Sequence, residues 1–500
     1  MSRCRSGQTR RLILADRTNC ARGTTVLALS LVLAAGCSQI GDYQRPESNL
    51  PDRWQHGETV AGTGKATQIE WRVFFQDPRL QALISRALQH NNDLKIALAR
   101  VAEARAQLGV ASADRLPSAN LSAFRSKTKI TGAFSGVDRP VTYERNEIDL
   151  NVSFEVDFWG RVANLSEAAK ASYLASESAS RAMRMALISE VANLYFTLLE
   201  LDERTAIARA TIDSRRKHRD LIRRGMDLGA AARSDYLLAE GALHSAKAEL
   251  AGLANQRAGA EHALDLLVGN PHGEMPSGRR LDEQDVRNDL APGIPSEVLY
   301  ARPDVIAAEQ RLREAHANVG AARAAFLPKI LLTAGLGLVS PTLAGLFGPG
   351  TGNWLFQPAL SLPLFDGGRN AGYLDIAEAR KNSAIADYEK TIQQAFREVA
   401  DLLSARASLA EQRLATEAIV RAYQERLVVA EVRFRAGSAS YLDVLDAQRE
   451  LFAQQQAAVQ IRRTQLTTAA QLYKALGGGG DAPNDGEAAA PDQTWMFMMS

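Results

Sequence analysis

Cysteine is scarce in this chain, and the few cysteines present do not form a disulfide framework. There are three among 500 residues, Cys4, Cys20 and Cys37. Removal of an N-terminal leader before Cys37 would take the other two with it and leave one cysteine in the mature chain. A small secreted fold held together by disulfides is therefore excluded.

An excess of charge of one sign and paired histidines are also missing. Of the 59 basic and 57 acidic residues, the first 36 positions hold six and one, so the net charge without them is near −3. Such a balance provides no basic surface for nucleic acid. No two of the seven histidines stand three to five residues apart, as a helical pair of metal ligands would. We therefore expect no enzyme, no metal site and no cofactor other than a covalent lipid.

The expected lipid site follows the one hydrophobic run near the N-terminus. The run from Val26 to Ala35 comes after six arginines and is too short to span a membrane as a helix, which predicts a secretory signal peptide. The sequence from Leu33 to Cys37 resembles a bacterial lipobox, in which the cysteine is lipidated and becomes the first residue. Ser38 after it favours the outer membrane. An ordinary signal peptide with an incidental cysteine is the alternative.

The stretch from Glu147 to Phe158 has the pattern of a two-faced strand. From Ile148 to Phe158 every second residue is large and apolar, and polar residues fill the alternate places. Twelve extended residues exceed the ~9 to 11 that a tilted transmembrane strand needs. Trp159 would then lie at a membrane interface, and Gly160 ends the pattern. A strand of a soluble sandwich has the same alternation and remains an alternative for this stretch alone.

The second half of the chain repeats the first. Gly160-Arg161 returns as Gly368-Arg369, and a long helical sequence follows both copies. The sequence Val101-Ala-Glu-Ala-Arg-Ala-Gln-Leu-Gly109 is likewise echoed by Leu312-Arg-Glu-Ala-His-Ala-Asn-Val-Gly320. These repeats predict a duplicated unit of helix, strand pair, long helix and returning helix.

The repeat sets the expected domain boundaries. The helix after the first strand pair has no Gly or Pro from Asn164 to Arg224, which corresponds to roughly 90 Å. The expected segments are a signal peptide (1–36), a lipidated tether (37–76), a first repeat (77–269, with strand pair 117–158 and helical hairpin 164–268), a linker (270–295), a second repeat (296–476, with strand pair 328–366 and helical hairpin 370–476) and a disordered tail (477–500).

Four strands per chain cannot close a barrel, and an open sheet edge cannot stand in lipid. Chains must therefore pool their strands. Two chains would supply eight strands, enough for a filled barrel, whereas three supply twelve and leave room for an aqueous lumen. We expect a homotrimer.

The paired Gly-Arg strand ends, the two hairpins, the lipobox and the turn from Arg435 to Gln448 resemble the TolC-type outer membrane factor family, in its NodT-like lipoprotein subgroup. The resemblance covers about residues 37–476. It implies an α+β membrane protein, with a trimeric 12-stranded transmembrane β-barrel continued by a long periplasmic α-helical barrel. It also implies a passive exit duct for drugs, other toxic compounds or metal ions, held in outer-membrane lipid. Its partners would be a periplasmic adapter (membrane fusion) protein and an RND-type inner-membrane transporter.

The resemblance also implies roles for residues at the two hairpin turns. The expected adapter-docking residues are Leu228, Gly229, Ala436, Gly437 and Ser438. Asp443 and Asp446 match the family's acidic constriction and are the pore-gate candidates; in a trimer, stacked rings of like charge should raise the pKa of these carboxylates. The alternative is an exposed acidic face near a helix N-terminus, where the helix dipole favours Asp. In the family's closed state, a tyrosine can bond to the residue at the position of Asp235, and an arginine to the one at the position of Ser234. This chain has Phe434 and Ala439 in place of that tyrosine and arginine, so neither bond can form. The packing of neighbouring helices should therefore hold this gate closed.

Two other functions remain open from the residues. One is the outer-membrane outlet of a type I protein secretion system, which uses the same fold. The other is a periplasmic coiled-coil adapter, which also has a long hairpin. Adapters have a single hairpin and no duplicated membrane strands, so the repeat argues against this second class.

We predict that the mature chain begins at a lipidated Cys37. Mass spectrometry of the N-terminal peptide should show a mass increase from the attached acyl chains, and Cys37→Ser should abolish it, because the thiol is the site of attachment. Three anchors per trimer would exceed the two signals that stable anchoring usually takes. An unmodified peptide that begins at another residue would contradict the prediction.

Overall fold

The computed structural model describes residues 41, 43–46, 51, 54, 64–65, 69–136, 139–269, 276–286, 290–291 and 295–478. The predicted signal peptide, the lipidation site Cys37 and residues 479–500 of the predicted tail lie outside this part of the chain. Within it, helices predominate and the strands form one four-stranded sheet and one two-residue parallel pair, Gly64–Lys65 with Leu290–Ala291.

The longer elements follow one another in the same order in the two halves of the chain. The first half contains α1 (Pro78–His90), α2 (Asn92–Ala113), β1 (Ser118–Ile130), β2 (Val141–Val156), α3 (Arg161–Asp227) and α4 (Arg233–Val268). The second half contains α5 (Pro295–Ala301), α6 (Pro303–Ala324), β3 (Lys329–Ser340), β4 (Gly352–Ser361), α7 (Arg369–Arg435) and α8 (Tyr441–Ala475). Single-turn helices lie at Trp71–Phe74, Gly132–Ser135 and Leu281–Glu283.

The compact units of the structure do not coincide with the two repeats. One unit contains Ala104–Ser172 and Arg311–Ala384, and so takes in all four long strands. The other contains Pro46–Glu103, Tyr173–Gln310 and the described part of Ile385–Ser500. The repeats are divided in this way because β2 of the first repeat pairs with β3 of the second.

The four long strands form an antiparallel sheet in the order β1-β2-β3-β4. Its register aligns Leu121 of β1 with Leu150 of β2, and continues through Leu336 of β3 to Trp354 of β4. Directly opposed residues share a face of the sheet. The apolar face therefore also carries Ile148, Val152, Phe154, Leu338, Phe356 and Leu360.

The opposite face of the sheet is mostly polar. Ser118, Ser153, Thr333 and Gln357 lie side by side across the four strands. On the apolar face, Leu121 and Trp354 are 75% and 77% exposed within the chain. A sheet with one polar face and one uncovered apolar face is the two-sided arrangement that the alternation in β2 predicted.

Polar contacts tie the sheet to the starts of the two long helices. Arg161 at the start of α3 donates two hydrogen bonds to the carboxylate of Glu155, at 3.0 and 2.9 Å. Lys329 at the start of β3 pairs with the same carboxylate at 2.8 Å. Asp157 accepts a 2.6 Å hydrogen bond from the amide of Ala163, and Asp366 accepts a 2.9 Å one from that of Asn370. The repeated Asp-x-x-Gly-Arg and Asp-Gly-Gly-Arg sequences thus supply acceptors to otherwise unpaired first-turn amides.

Element ends differ from the sequence-based boundaries by a few residues. β2 begins at Val141, six residues before the expected start at Glu147, because β1 continues to pair with it up to Ile130. β4 ends at Ser361, five residues before the end of the expected strand pair at 366, because its partner β3 begins with Lys329, which lies opposite Ser361. Both long helices begin at the arginine of the Gly-Arg pair, which precedes the expected start.

Asp77 organises the packing around α1. Its Oδ1 accepts a hydrogen bond from the amide of Arg79 at 2.8 Å and so caps α1, which begins at Pro78. Its Oδ2 accepts from the Tyr195 hydroxyl at 2.8 Å and from Gln284 Nε2 at 2.6 Å. One buried carboxylate therefore joins α1, α3 and the described part of the linker.

A second polar network surrounds the buried Arg302. The guanidinium binds Asp304 and Glu398, each at 2.8 Å, and donates to the carbonyl of Ala475 at the end of α8 at 2.9 Å. Burial raises the pKa of Asp304, but the hydrogen bond and charge of Arg302 outweigh it and hold the pKa below its ordinary value. The pKa of Glu398 is also lowered, because its hydrogen bonds to Lys474 and Arg302 outweigh burial.

We predict that Arg302→Gln lowers the free energy of unfolding by about 3 kcal/mol, because Asp304, Glu398 and the carbonyl of Ala475 all lose the guanidinium, although Lys474 stays bound to Glu398. Arg323→Gln breaks an exposed pair with Glu378 and should cost below about 1 kcal/mol. Denaturant titration measures both variants. Since the folded pKa values of Asp304 and Glu398 are depressed, the contribution is present above the unfolded values and is lost as pH falls below about 4. Equal losses in the two variants would contradict the assignment.

Candidate channel entrance at the hairpin tips

Each long hairpin turns at a glycine in the left-handed region. Gly229, between α3 and α4, has φ of 70°, and Gly437, between α7 and α8, has φ of 73°. No atom lies within 4 Å of the position a Cβ would take at either glycine. Backbone conformation alone therefore favours glycine here. The neighbouring Leu228 is 85% exposed, so this tip presents a large apolar side chain to solvent.

Below the tips, the two hairpins share an apolar cluster. Its buried members are Ile222 of α3, Ala239 of α4, and Tyr441 and Val444 of α8. Phe434 of α7 packs against it, with its ring 5.9 Å from that of Tyr441. The phenylalanine that replaces the family's latch tyrosine is thus used for packing. This cluster joins all four helices near their turns.

Asp443 caps α8 in the structure, a role that the sequence analysis did not assign to it. Its Oδ2 accepts hydrogen bonds from the amide and the hydroxyl of Ser440, each at 2.9 Å. The amide of Asp443 in turn donates to the Ser440 hydroxyl, which completes a capping box. These hydrogen bonds lower the pKa of Asp443. The pKa rise expected from neighbouring like charges concerns rings of carboxylates in a trimer and stays a prediction.

Asp446 is held by two arginines. Arg426 of α7 binds its Oδ2 at 2.8 Å, and Arg449, one turn along α8, binds its Oδ1 at 2.8 Å. The first pair joins the two helices of the second hairpin. Asp446 is half-buried whereas Asp443 is exposed. Although the candidates are three residues apart, only Asp443 presents a carboxylate without an arginine bound to it at hydrogen-bond distance in the described structure.

Arg215 is a further polar residue at this end of the hairpins, and sequence reasoning missed it. The side chain is 5% exposed, and its Nη1 donates to the carbonyl of Ala242 at 2.6 Å. The guanidinium carbon lies 5.9 Å from the centre of the Phe452 ring. Burial lowers the pKa of Arg215. Arg215 stands in a run of basic residues from Arg215 to Arg219, and nothing in that run indicates that Arg215 is the buried one.

The structure brings the tip and gate candidates to one end of the helical hairpins. Leu228 and Gly229 lie at the first turn; Ala436, Gly437 and Ser438 lie at the second; Asp443 and Asp446 follow within the first turns of α8. No group of three or more His, Cys, Asp or Glu side chains with the geometry of a metal site occurs in the described ranges.

Comparison with known proteins identifies the family. The model of the outer membrane efflux protein family matches residues 83–270 and 294–478. The toluene efflux pump outer membrane protein TtgC of Pseudomonas putida is 38% identical over 91% of this chain and 95% of its own length. The cation efflux system protein CusC of Escherichia coli is 37% identical over 89% of this chain and 96% of its own.

A solved structure has the same fold. The crystal structure of the open state of the Neisseria gonorrhoeae MtrE outer membrane channel superposes with a TM-score of 0.82 at 36% identity, over 89% of this chain and 99% of that one. These matches extend over both sequence repeats. The chain therefore belongs to the outer membrane efflux protein family and is an efflux channel protein of the bacterial outer membrane.

Proposed function

We propose that three copies of this chain form the passive outer-membrane exit duct of a tripartite efflux pump. The observation that carries the proposal is the sheet: one of its faces is apolar and uncovered, the other is polar, and β1 and β4 are its edges. Twelve strands from three copies would join those edges into a barrel with lipid outside and water inside. The long helical hairpins would continue the duct into the periplasm.

Exposed apolar side chains near the second tip support association between copies. Val428, Val429 and Val432 of α7 are 61%, 56% and 56% exposed, and Leu442 of α8 is 59% exposed. Exposed apolar groups clustered in this way are typical of a surface that is covered by a partner. We assign this surface to the neighbouring copies, whose packing would hold the entrance closed.

The partners at the periplasmic end would be an adapter protein and, through it, an RND-type inner-membrane transporter. The exposed Leu228 and the open space around Gly229 and Gly437 support docking at the tips. Cys37 would add a lipid anchor at the other end of the duct. In this arrangement, specificity for the cargo resides in the transporter.

The cargo class is small molecules. TtgC is named for toluene and CusC for cations, and this chain is almost equally similar to both. If similar ducts serve such different cargoes, a duct of this kind makes few specific contacts with its cargo. We therefore propose drugs, other toxic compounds or metal ions as cargo, without a resident metal or cofactor.

The barrel is tested by an arginine on each face of β2. Val152 lies on the apolar face, in the middle of the alternating stretch from Ile148 to Val156, and its neighbour Ser153 lies on the polar face between Ser118 and Thr333. Val152→Arg should prevent insertion and conductance in planar bilayers, because a charge in mid-bilayer costs about 2 to 4 kcal/mol per copy. Ser153→Arg should still insert and should lower cation conductance. Equal behaviour of the two variants would contradict the barrel.

Docking is tested at Gly437. Gly437→Trp should reduce cross-linking between the tip and the adapter and should abolish export, because it adds bulk at the docking surface. Gly437→Asn should retain both, since asparagine tolerates the left-handed conformation and adds little volume. If the tryptophan variant cross-links and exports like the wild type, the tips are not the docking surface.

The gate is tested by Asp443→Ala combined with Asp446→Ala. In planar bilayers the double variant should lose block by multivalent cations and show a weaker preference for cations, because the ring of negative charge is gone. Ser440→Ala serves as the control, since it weakens the capping box but keeps both carboxylates. Unchanged block and selectivity in the double variant would show that these carboxylates do not line the pore.

A further inference from the structure

The apolar face of the sheet ends at a defined level and is followed by basic residues on the same face. The last apolar row consists of Ala123, Ile148 and Leu338, which oppose one another across β1, β2 and β3. Side chains two apart on a strand share a face. Further along β1 that face therefore carries Arg125, Lys127 and Lys129, which we call the basic row.

The basic row has an excess of positive charge. Glu144 lies directly opposite Lys127 and forms ion pairs with Lys127 and, at 3.5 Å, with Arg125. The residues opposite Arg125 and Lys129 are the neutral Asn146 and Thr142. One carboxylate among three cations leaves two positive charges. The side chains of Arg125 and Lys127 are 58% and 64% exposed, so both remain accessible to a ligand.

This excess is confined to one face and one hairpin. At the same level on the polar face, Arg145 is matched by Glu147 at 2.7 Å. The other hairpin loop, from Ser340 to Asn353, contains no charged residue at all. If these charges served only to keep the loops soluble, no excess of positive charge on the continuation of the apolar face would be expected.

The depth of the basic row in the proposed barrel matches a layer of lipid headgroups. Asn146, opposite Arg125, is ten residues from Val156 at the helix end of β2. At ~3.4 Å per residue and a tilt near 40°, that separation corresponds to about 25 Å of height, which is the height of the apolar band of an outer-membrane barrel. The basic row then begins where the hydrocarbon ends, on the side away from the helices.

We propose that the basic row binds phosphate groups of lipids in the outer leaflet. Arginine binds phosphate with two parallel hydrogen bonds and lysine binds it as a point charge, and Glu144 holds two of the three side chains in position. A trimer would carry three such rows around its outer rim. The inference rests on the proposed barrel, which defines the lipid side and the outer end of the sheet.

The test places the full-length protein in phosphatidylcholine nanodiscs that also contain lipid A, a glycolipid with two phosphates. The protein is then removed from the nanodiscs, and the amount of lipid A that stays bound to it is measured. Replacement of Arg125, Lys127 and Lys129 by Gln should lower retention on the order of tenfold, because each lost cation weakens attraction to an anionic lipid. Lys127→Arg with Lys129→Arg keeps the charge and should retain lipid A. Arg145→Gln, at the same level on the other face, should also retain it.

Two further arms identify the ligand. The wild type should retain lipid A without its phosphates only weakly, as the triple variant retains intact lipid A. Equal retention of the two lipids by the wild type would overturn the inference. Millimolar inorganic phosphate should not displace lipid A. Displacement would show that the row binds free phosphate and would overturn the assignment to lipid.

Conductance separates this inference from the proposed function. The variants of the basic row should conduct like the wild type in phosphatidylcholine bilayers, and Arg145→Gln should still insert and conduct, which shows that all of them fold. A triple variant that conducts normally and retains lipid A like the wild type overturns the inference alone, as does an equal loss of retention in Arg145→Gln. A wild-type chain that neither inserts nor conducts overturns the proposed function and with it the depth argument.

Discussion

The main physical constraint on this structure is the unpaired backbone along the two edges of the sheet. Within one chain, β1 and β4 each pair with another strand on one side only. One face of the same sheet is apolar and uncovered. In lipid, each backbone donor or acceptor without a partner costs several kcal/mol. The proposed trimer meets this requirement by pairing β1 of one copy with β4 of the next, and twelve strands leave room for an aqueous lumen.

The same requirement explains why the two repeats form one sheet. A hairpin from either repeat alone would have two open edges and too few strands for stability. The pairing of β2 with β3 joins the two hairpins into one sheet. Small residues on β3 make room for side chains on the polar face of that sheet. A Cβ on Gly335 would come within 2.8 Å of Oδ1 of Asn151. Glu155 joins this sheet to the start of α3 through Arg161.

Local sequence signals predicted the elements well, whereas contacts between distant residues could not be predicted. The alternation from Ile148 to Phe158, the Asp77-Pro78 pair and the turn glycines each act within a few residues. The capping box of Ser440 and Asp443 also had a local signal, a serine three residues before an acid, although Asp443 was predicted only as a gate residue or as an acid favoured near a helix N-terminus. The Arg426–Asp446 pair and the inward position of Arg215 depend on packing between helices and have no such signal.

The central claim is that edge strands of neighbouring copies pair and that three copies close the ring. Chains with one cysteine in β1 and one in β4 would test it most directly, since lipidation occupies the thiol of Cys37 in the proposed mature protein. Oxidation in membranes should then give covalent dimers and trimers and no larger product. Absence of cross-links between β1 and β4 at every pair of positions tried, or a series of products that stops at two or continues past three, would contradict the account.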